Sequence, residues 1–172
     1  MTFVTHVLFG VTCYIPISAL LGYPPTLSGA ALAAFGALLP DIDEPRSWIG
    51  RRFLFLSQPL RTFFGHRGIT HSLAFCILIG ALLGLLSHSY ALPEGLALAI
   101  LIGYASHLIA DAVTPGGIPL MWPFKGRYST PCTVRTGGAG EMVIFFVLLV
   151  GLVLAIAEFT AFNPDQFQHS LR

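Results

Sequence analysis

Gly65-His66-Arg67-Gly68-Ile69-Thr70-His71-Ser72 runs directly into Leu73-Ala74-Phe75-Cys76-Ile77-Leu78-Ile79-Gly80-Ala81-Leu82-Leu83. Two histidines and an arginine therefore stand where an apolar helix has to begin. Ionisable groups at a membrane boundary are costly unless they are paired, solvated or ligating a metal, so this clustering predicts a functional site. The expectation is a metal site at the mouth of a small helical membrane protein.

The rest of the chain fits that reading. Of 172 residues, 55% are hydrophobic and only 10% are charged, and the mean hydropathy is +0.77. This is the profile of a polytopic membrane protein, and its length suits one integral membrane domain over residues 1–172. The net charge of +1 gives no argument for nucleic-acid binding. Cys13, Cys76 and Cys132 form no C-x-x-C pattern, so neither a disulfide framework nor a Cys-rich zinc site is supported. No Lys or Arg precedes the first apolar run, so an uncleaved first membrane segment is expected rather than a signal peptide.

About five hydrophobic segments predict an all-α membrane bundle. The first covers residues 3–21, before Tyr23-Pro24-Pro25 turns the chain. The second, residues 27–39, is short and rich in Ala and Gly, so it either packs inside the bundle or re-enters without crossing. Pro40 ends it. Arg mixed with Phe and Leu between residues 51 and 64 predicts a segment lying on the membrane surface and interrupted at Pro59, or else a buried amphipathic loop. The third segment, residues 72–86, is closed by Ser87-His88-Ser89. The fourth covers 96–113, and the fifth 141–162.

Basic residues orient the bundle. Arg46, Arg51, Arg52, Arg61 and Arg67 lie between the second and third segments, and Lys125, Arg127 and Arg135 between the fourth and fifth. The other two connections hold none, which puts both basic loops in the cytoplasm and, if all five segments cross, the N-terminus there too and the C-terminus outside; if the second only re-enters, His6 moves to the far side. With all five crossing, His6, Asp41, Asp43, His66, His71, His107, Asp111 and Glu141 all fall on the cytoplasmic side.

Their spacing suits ligation. His107 and Asp111 are i,i+4 on a helix and share a face. Asp41 and Asp43 are i,i+2 and point the same way if Pro40 and Pro45 hold the segment extended. His66 and His71 would diverge on one helix, so His66 is expected from the loop and His71 from the first helical turn. Histidine and carboxylate donors without cysteine suit Zn²⁺, Mn²⁺ or Fe²⁺, as one or two ions. Arg67, with the amides near Gly68 or at Gly116-Gly117, would receive an anionic phosphate. Blander roles compete: a structural His107–Asp111 pair, solvated Asp41 and Asp43, an interfacial His6, and a Glu141 that only favours the positive end of its helix.

Leu39-Pro40-Asp41-Ile42-Asp43, the 65–72 stretch, Gly103-Tyr104-Ala105-Ser106-His107-Leu108-Ile109-Ala110-Asp111 and Thr114-Pro115-Gly116-Gly117-Ile118-Pro119-Leu120-Met121-Trp122-Pro123 together resemble the YdjM-type family. That resemblance implies a bacterial inner-membrane protein, LexA-regulated within the DNA damage response, and a metal-dependent hydrolase. A more distant likeness is to the zinc-dependent phospholipase C and P1 nuclease group. It would make His6, Asp41, His66, His107 and Asp111 ligands, although the chain lacks that group's later H-x-x-x-E pair.

The expectation is therefore a membrane-embedded hydrolase of a phosphoester in a lipid or other membrane-associated substrate. Metal ligands would be drawn from His6, Asp41, Asp43, His66, His71, His107, Asp111 and Glu141. Asp43 would be a ligand or the general base, and Arg67 would neutralise the phosphate. The alternatives are a metal-ion carrier or sensor and a non-enzymatic scaffold holding a structural metal.

Overall fold

The computed structural model describes residues 1–65, 67–90 and 95–162. Among them the only regular elements are helices: α1 (Phe3–Leu20), α2 (Leu27–Gly36), α3 (Leu54–Phe64), α4 (Leu73–Tyr90), α5 (Leu96–Ala112) and α6 (Ala139–Phe162), with 3-10 turns at Leu39–Asp43 and Ile69–His71. Three of them, α1, α4 and α6, are long and apolar enough to cross a membrane.

The bundle is built around α5. Its Ala99, Ile100, Ile102, Gly103, Tyr104, Ser106, His107, Leu108, Ala110 and Asp111 are all buried, whereas α4 has no buried residue. A helix buried on most of its faces belongs to a bundle core, and an apolar one that packs along a single face, as α4 does with Phe75, Cys76 and Ile79 against α5, leaves its other faces to lipid. Helices α1, α2 and α4 surround α5, and α6 lies along α1.

Small residues allow the central helices to approach closely. A Cβ on Gly103 would stand 2.0 Å from the Ala33 carbonyl oxygen, and one on Gly36 2.2 Å from that of Ile100. One on Gly10 would meet the Ala37 Cβ at 2.9 Å. These contacts lock α2 parallel to α5 and α1 antiparallel to both, the packing that Gly and Ala permit in membranes.

Several expectations about segments need revising. With ten residues, α2 is about 15 Å long, half the apolar thickness of a bilayer. It nonetheless returns the chain to the level of His6, because the Leu39–Asp43 turn extends its path. His6 thus stays with the other polar groups even though α2 alone is too short to cross. The 51–64 segment is not broken at Pro59, which lies inside α3. A proline there forfeits one backbone bond, to the carbonyl four residues back, and an eleven-residue helix carries that loss. Likewise α4 continues through Ser87-His88-Ser89 to Tyr90.

The connection after α5 folds back on it. Ile118 and Tyr128 exchange backbone hydrogen bonds at 3.0 and 2.8 Å, and Thr130 and Val134 donate to the carbonyls of Ala112 and Val113 at 2.9 and 2.8 Å. The start of α4 is held to the same loop by Leu73 N–H donating to Leu120 O at 2.9 Å. One end of the bundle therefore gathers the starts of α1, α4 and α6, the ends of α2 and α5, and this loop.

Candidate metal centre

At that end Asp41, His71, His107 and Asp111 each offer one donor atom, and the four atoms lie within 4.8 Å of one another. The individual spacings are tighter. His71 Nε2 is 3.3 Å from His107 Nε2. Each of these nitrogens is 3.7 Å from Asp41 Oδ1 and 3.6 Å from Asp111 Oδ2. A tetrahedral ion with metal–ligand distances of about 2.0–2.1 Å sets its donors about 3.3–3.4 Å apart. Five of the six edges thus sit close to that length, and the donor set fits one divalent ion.

The ring orientations suit the same purpose. His107 Nδ1 lies 2.7 Å from the Ala37 carbonyl oxygen. A carbonyl can only accept, so Nδ1 carries the proton and Nε2 presents its lone pair to the centre. For His71, Nδ1 faces Thr70 Oγ1 at 3.1 Å and Asp43 Oδ2 at 3.5 Å. Thr70 Oγ1 in turn donates to Asp43 Oδ2 at 2.7 Å. Carboxylate, imidazole and donor site then form the relay that commonly orients metal-binding histidines. The Tyr104 hydroxyl, donating to Thr70 O, pins this turn to α5.

Asp41 and Asp43 consequently do different jobs. The segment expected to be extended is a 3-10 turn, Leu39–Asp43, with about three residues per turn. Residues two apart then point about 120° away from each other instead of the same way. Asp41 faces the donor group, while Asp43 lies behind the His71 ring and also accepts from Gly68 N–H at 3.3 Å. His71 itself comes from the Ile69–His71 turn, just before α4, and not from the first turn of α4.

Charge concentrates here. Burial disfavours an imidazolium at His71, but its bonds to Asp111, Asp41 and Asp43 outweigh that and push its pKa up to about 10. Burial also works against a charged Asp41, yet the neighbouring His107 and His71 hold its carboxyl down at about 2. The Asp41 side chain is 20% exposed, against 0–2% for the other three donors, so the centre opens on that side.

Of the remaining expected residues, His6, Glu141 and Arg67 lie around this group. His6 stacks on His107 with ring centroids 3.8 Å apart, and its Nε2 is 3.4 Å from Asp111 Oδ1. Glu141 is absorbed by the start of α6, where its two oxygens accept from Thr2 N–H and Gly137 N–H, both at 2.6 Å. Arg67 Nη2 bonds Asp111 Oδ2 at 2.8 Å, and Nη1 donates to Thr114 Oγ1 at 2.9 Å. Arg67 adopts a left-handed backbone (φ 53°), a conformation costly for a side chain of this size and held here by the bonds its guanidinium makes. His66 lies outside the described residues.

Two of the amides expected to receive an anion are already in use. Gly68 N–H donates to Asp43, and Gly117 N–H to Thr114 O at 3.0 Å. Sequence reasoning missed Thr70, Tyr104, Thr114 and the Ala37 carbonyl, which act only through the neighbours they orient. Tyr104 did carry a signal, since it lies one helical turn before His107.

The fold and the centre together define an all-α membrane protein with a His₂Asp₂ cluster able to hold a metal ion at one end of its bundle. The chain belongs to the YdjM inner membrane protein family, which it matches over residues 1–164. It is 37% identical over 155 residues to the uncharacterized protein YvsG of Bacillus subtilis, covering 90% of this chain and 91% of that one. To the inner membrane protein YdjM of Escherichia coli, and to that of Shigella flexneri, it is 34% identical over 157 residues, covering 87% of this chain and 80% of each relative. No solved structure matches it, so the likeness to phospholipase C and P1 nuclease gains no structural counterpart.

Proposed function

We propose that the chain is a metal-dependent hydrolase of a phosphoester in a lipid or other membrane-associated substrate, with its centre at the cytoplasmic face. The observation that carries this reading is the close mutual approach of the Asp41, His71, His107 and Asp111 donor atoms beside the cationic Arg67. Zn²⁺ suits two imidazoles and two carboxylates, and Mn²⁺ and Fe²⁺ share that chemistry. A bound ion supplies a Lewis acid for phosphoryl oxygens and acidifies water near neutral pH.

The chain's own residues do the rest. Asp41 lies on the open side of the centre, where substrate enters. Arg67 binds the anion from the rim. Asp43 holds the ring of His71 and acts as a positioning residue, since the imidazole separates it from the donor atoms. The basic loops keep the centre cytoplasmic.

One observation favours a second reading, a scaffold with a structural metal: four protein donors already match the ligand count of a closed site. The carrier reading has less support, because α4 and α6 hold no charged residue in their middles.

Purified protein loaded with zinc or manganese decides between the first two. Turnover of phosphatidate or of p-nitrophenyl phosphate esters is expected, with loss in Asp41→Ala and a fall of at least tenfold in Arg67→Gln. A protein that holds stoichiometric metal yet turns over none of these esters, with phosphate leaving the visible spectrum of its cobalt form unchanged, supports the scaffold instead.

A further inference from the structure

Beside the metal centre two guanidinium groups converge on one carbonyl oxygen. Arg67 Nη1 is 3.3 Å from Gly117 O, and Arg127 Nη2 donates to the same oxygen at 3.1 Å. Arg127 Nε also donates to Gly116 O at 2.7 Å. Gly117 presents its carbonyl this way because it sits at φ 55°, a conformation that suits glycine. A Cβ there would meet Tyr128 O at 2.7 Å.

Like charges are not brought together without compensation. Arg67 has Asp111, bonded at 2.8 Å. For Arg127 no carboxylate partner exists among the described residues, and two carbonyl oxygens accept its Nε and one Nη2 hydrogen. An arginine carries five N–H donors in a rigid fork, so three remain on this exposed residue. The loop itself is fixed by the Ile118–Tyr128 pair and by the bonds of Thr130 and Val134 to the end of α5. A preorganised guanidinium with spare donors and an unpaired charge suits a tetrahedral oxyanion.

We infer that Arg127 and Arg67 together form a phosphate subsite at the rim of the metal centre, with Arg127 as the outer half of the clamp. Arg67 links the two parts, since one of its nitrogens bonds a metal donor and the other shares the Gly117 carbonyl with Arg127. The ligand is a phosphate monoester dianion, either on a lipid headgroup or free in solution. The inference deepens the hydrolase reading and rests on it for the role of the phosphate.

The test is calorimetric binding of inorganic phosphate and of dihexanoyl phosphatidate to the zinc-loaded protein in neutral detergent. Wild type is compared with Arg127→Gln, Arg127→Lys and Arg135→Gln, the last removing an exposed arginine of the same loop. Arg127→Gln should weaken phosphate at least tenfold while keeping its zinc, Arg127→Lys should bind between the two, and Arg135→Gln should match wild type. Tighter, Arg127-dependent binding of phosphatidate than of phosphate identifies a lipid headgroup, and equal binding identifies free phosphate. Unchanged phosphate affinity in Arg127→Gln, or an equal loss in Arg135→Gln, overturns the subsite. Failure of the hydrolase reading looks different, as a protein without zinc or one whose bound phosphate ester is never turned over.

Discussion

Asp41 and Asp43 show how a turn type divides labour between like residues. One carboxylate offers a metal donor and the other steers the imidazole beside it. Asp43→Asn should therefore lower zinc affinity about 10–100-fold without changing the number of ions bound, measured by competition with a chromophoric chelator. Titration gives a second prediction. Below its folded pKa of about 10 the metal-free His71 is protonated, and Nε2 ligates only after that proton leaves. Asp41, held at about 2, is already ionised and releases nothing. Below about pH 10 zinc affinity should thus rise with pH, His71 giving up its proton for each ion bound. Calorimetry in buffers of different protonation enthalpy reads that proton directly, and a pH-independent affinity would contradict the assignment of His71. His71, His107, Asp41 and Asp111 were legible as candidates, among eight, from residue type and spacing. The separate role of Asp43 was not, because it depends on a 3-10 geometry that no pattern of two prolines and two carboxylates specifies.

Elements were more legible than their contacts. Four of the apolar runs became α1, α4, α5 and α6 with ends near those expected, since long hydrophobic stretches leave the chain little choice. Helix α2 was harder, because its length falls short of a crossing and its role comes from what it packs against. Gly36 and Gly103 carry that packing, so Gly103→Ala should destabilise the protein by about 1–3 kcal/mol, its Cβ being directed at a backbone oxygen 2.0 Å away. Gly84 on α4 has nothing within 4 Å of its virtual Cβ. Gly84→Ala should leave stability unchanged to within about 1 kcal/mol. Thermal unfolding in detergent compares the two, and equal sensitivity would sink the account of the core. The continuity of α3 through Pro59 also escaped the sequence, where proline marks a probable break and not a certain one.

Across the whole molecule, what counts is that separate helix ends meet. The sorting of His6, Asp41, His71, His107, Asp111 and Glu141 to one side was visible from the order of apolar segments and basic loops. Which of them share a centre was not, because ligation is settled at the scale of side-chain rotamers. Glu141 went to a helix start and His6 to a ring stack, both ordinary uses of such residues. A reporter fused to the N-terminus should read cytoplasmic, with both basic loops on the same side, and a periplasmic reading would detach the centre from that compartment. Asp41, His71, His107 and Asp111 are expected to hold a divalent ion. Metal content of the purified protein by mass spectrometry tests this most directly: about one ion per chain is expected, lost in both His107→Ala and Asp41→Ala. Variants that remain folded and keep the wild-type metal content would contradict it.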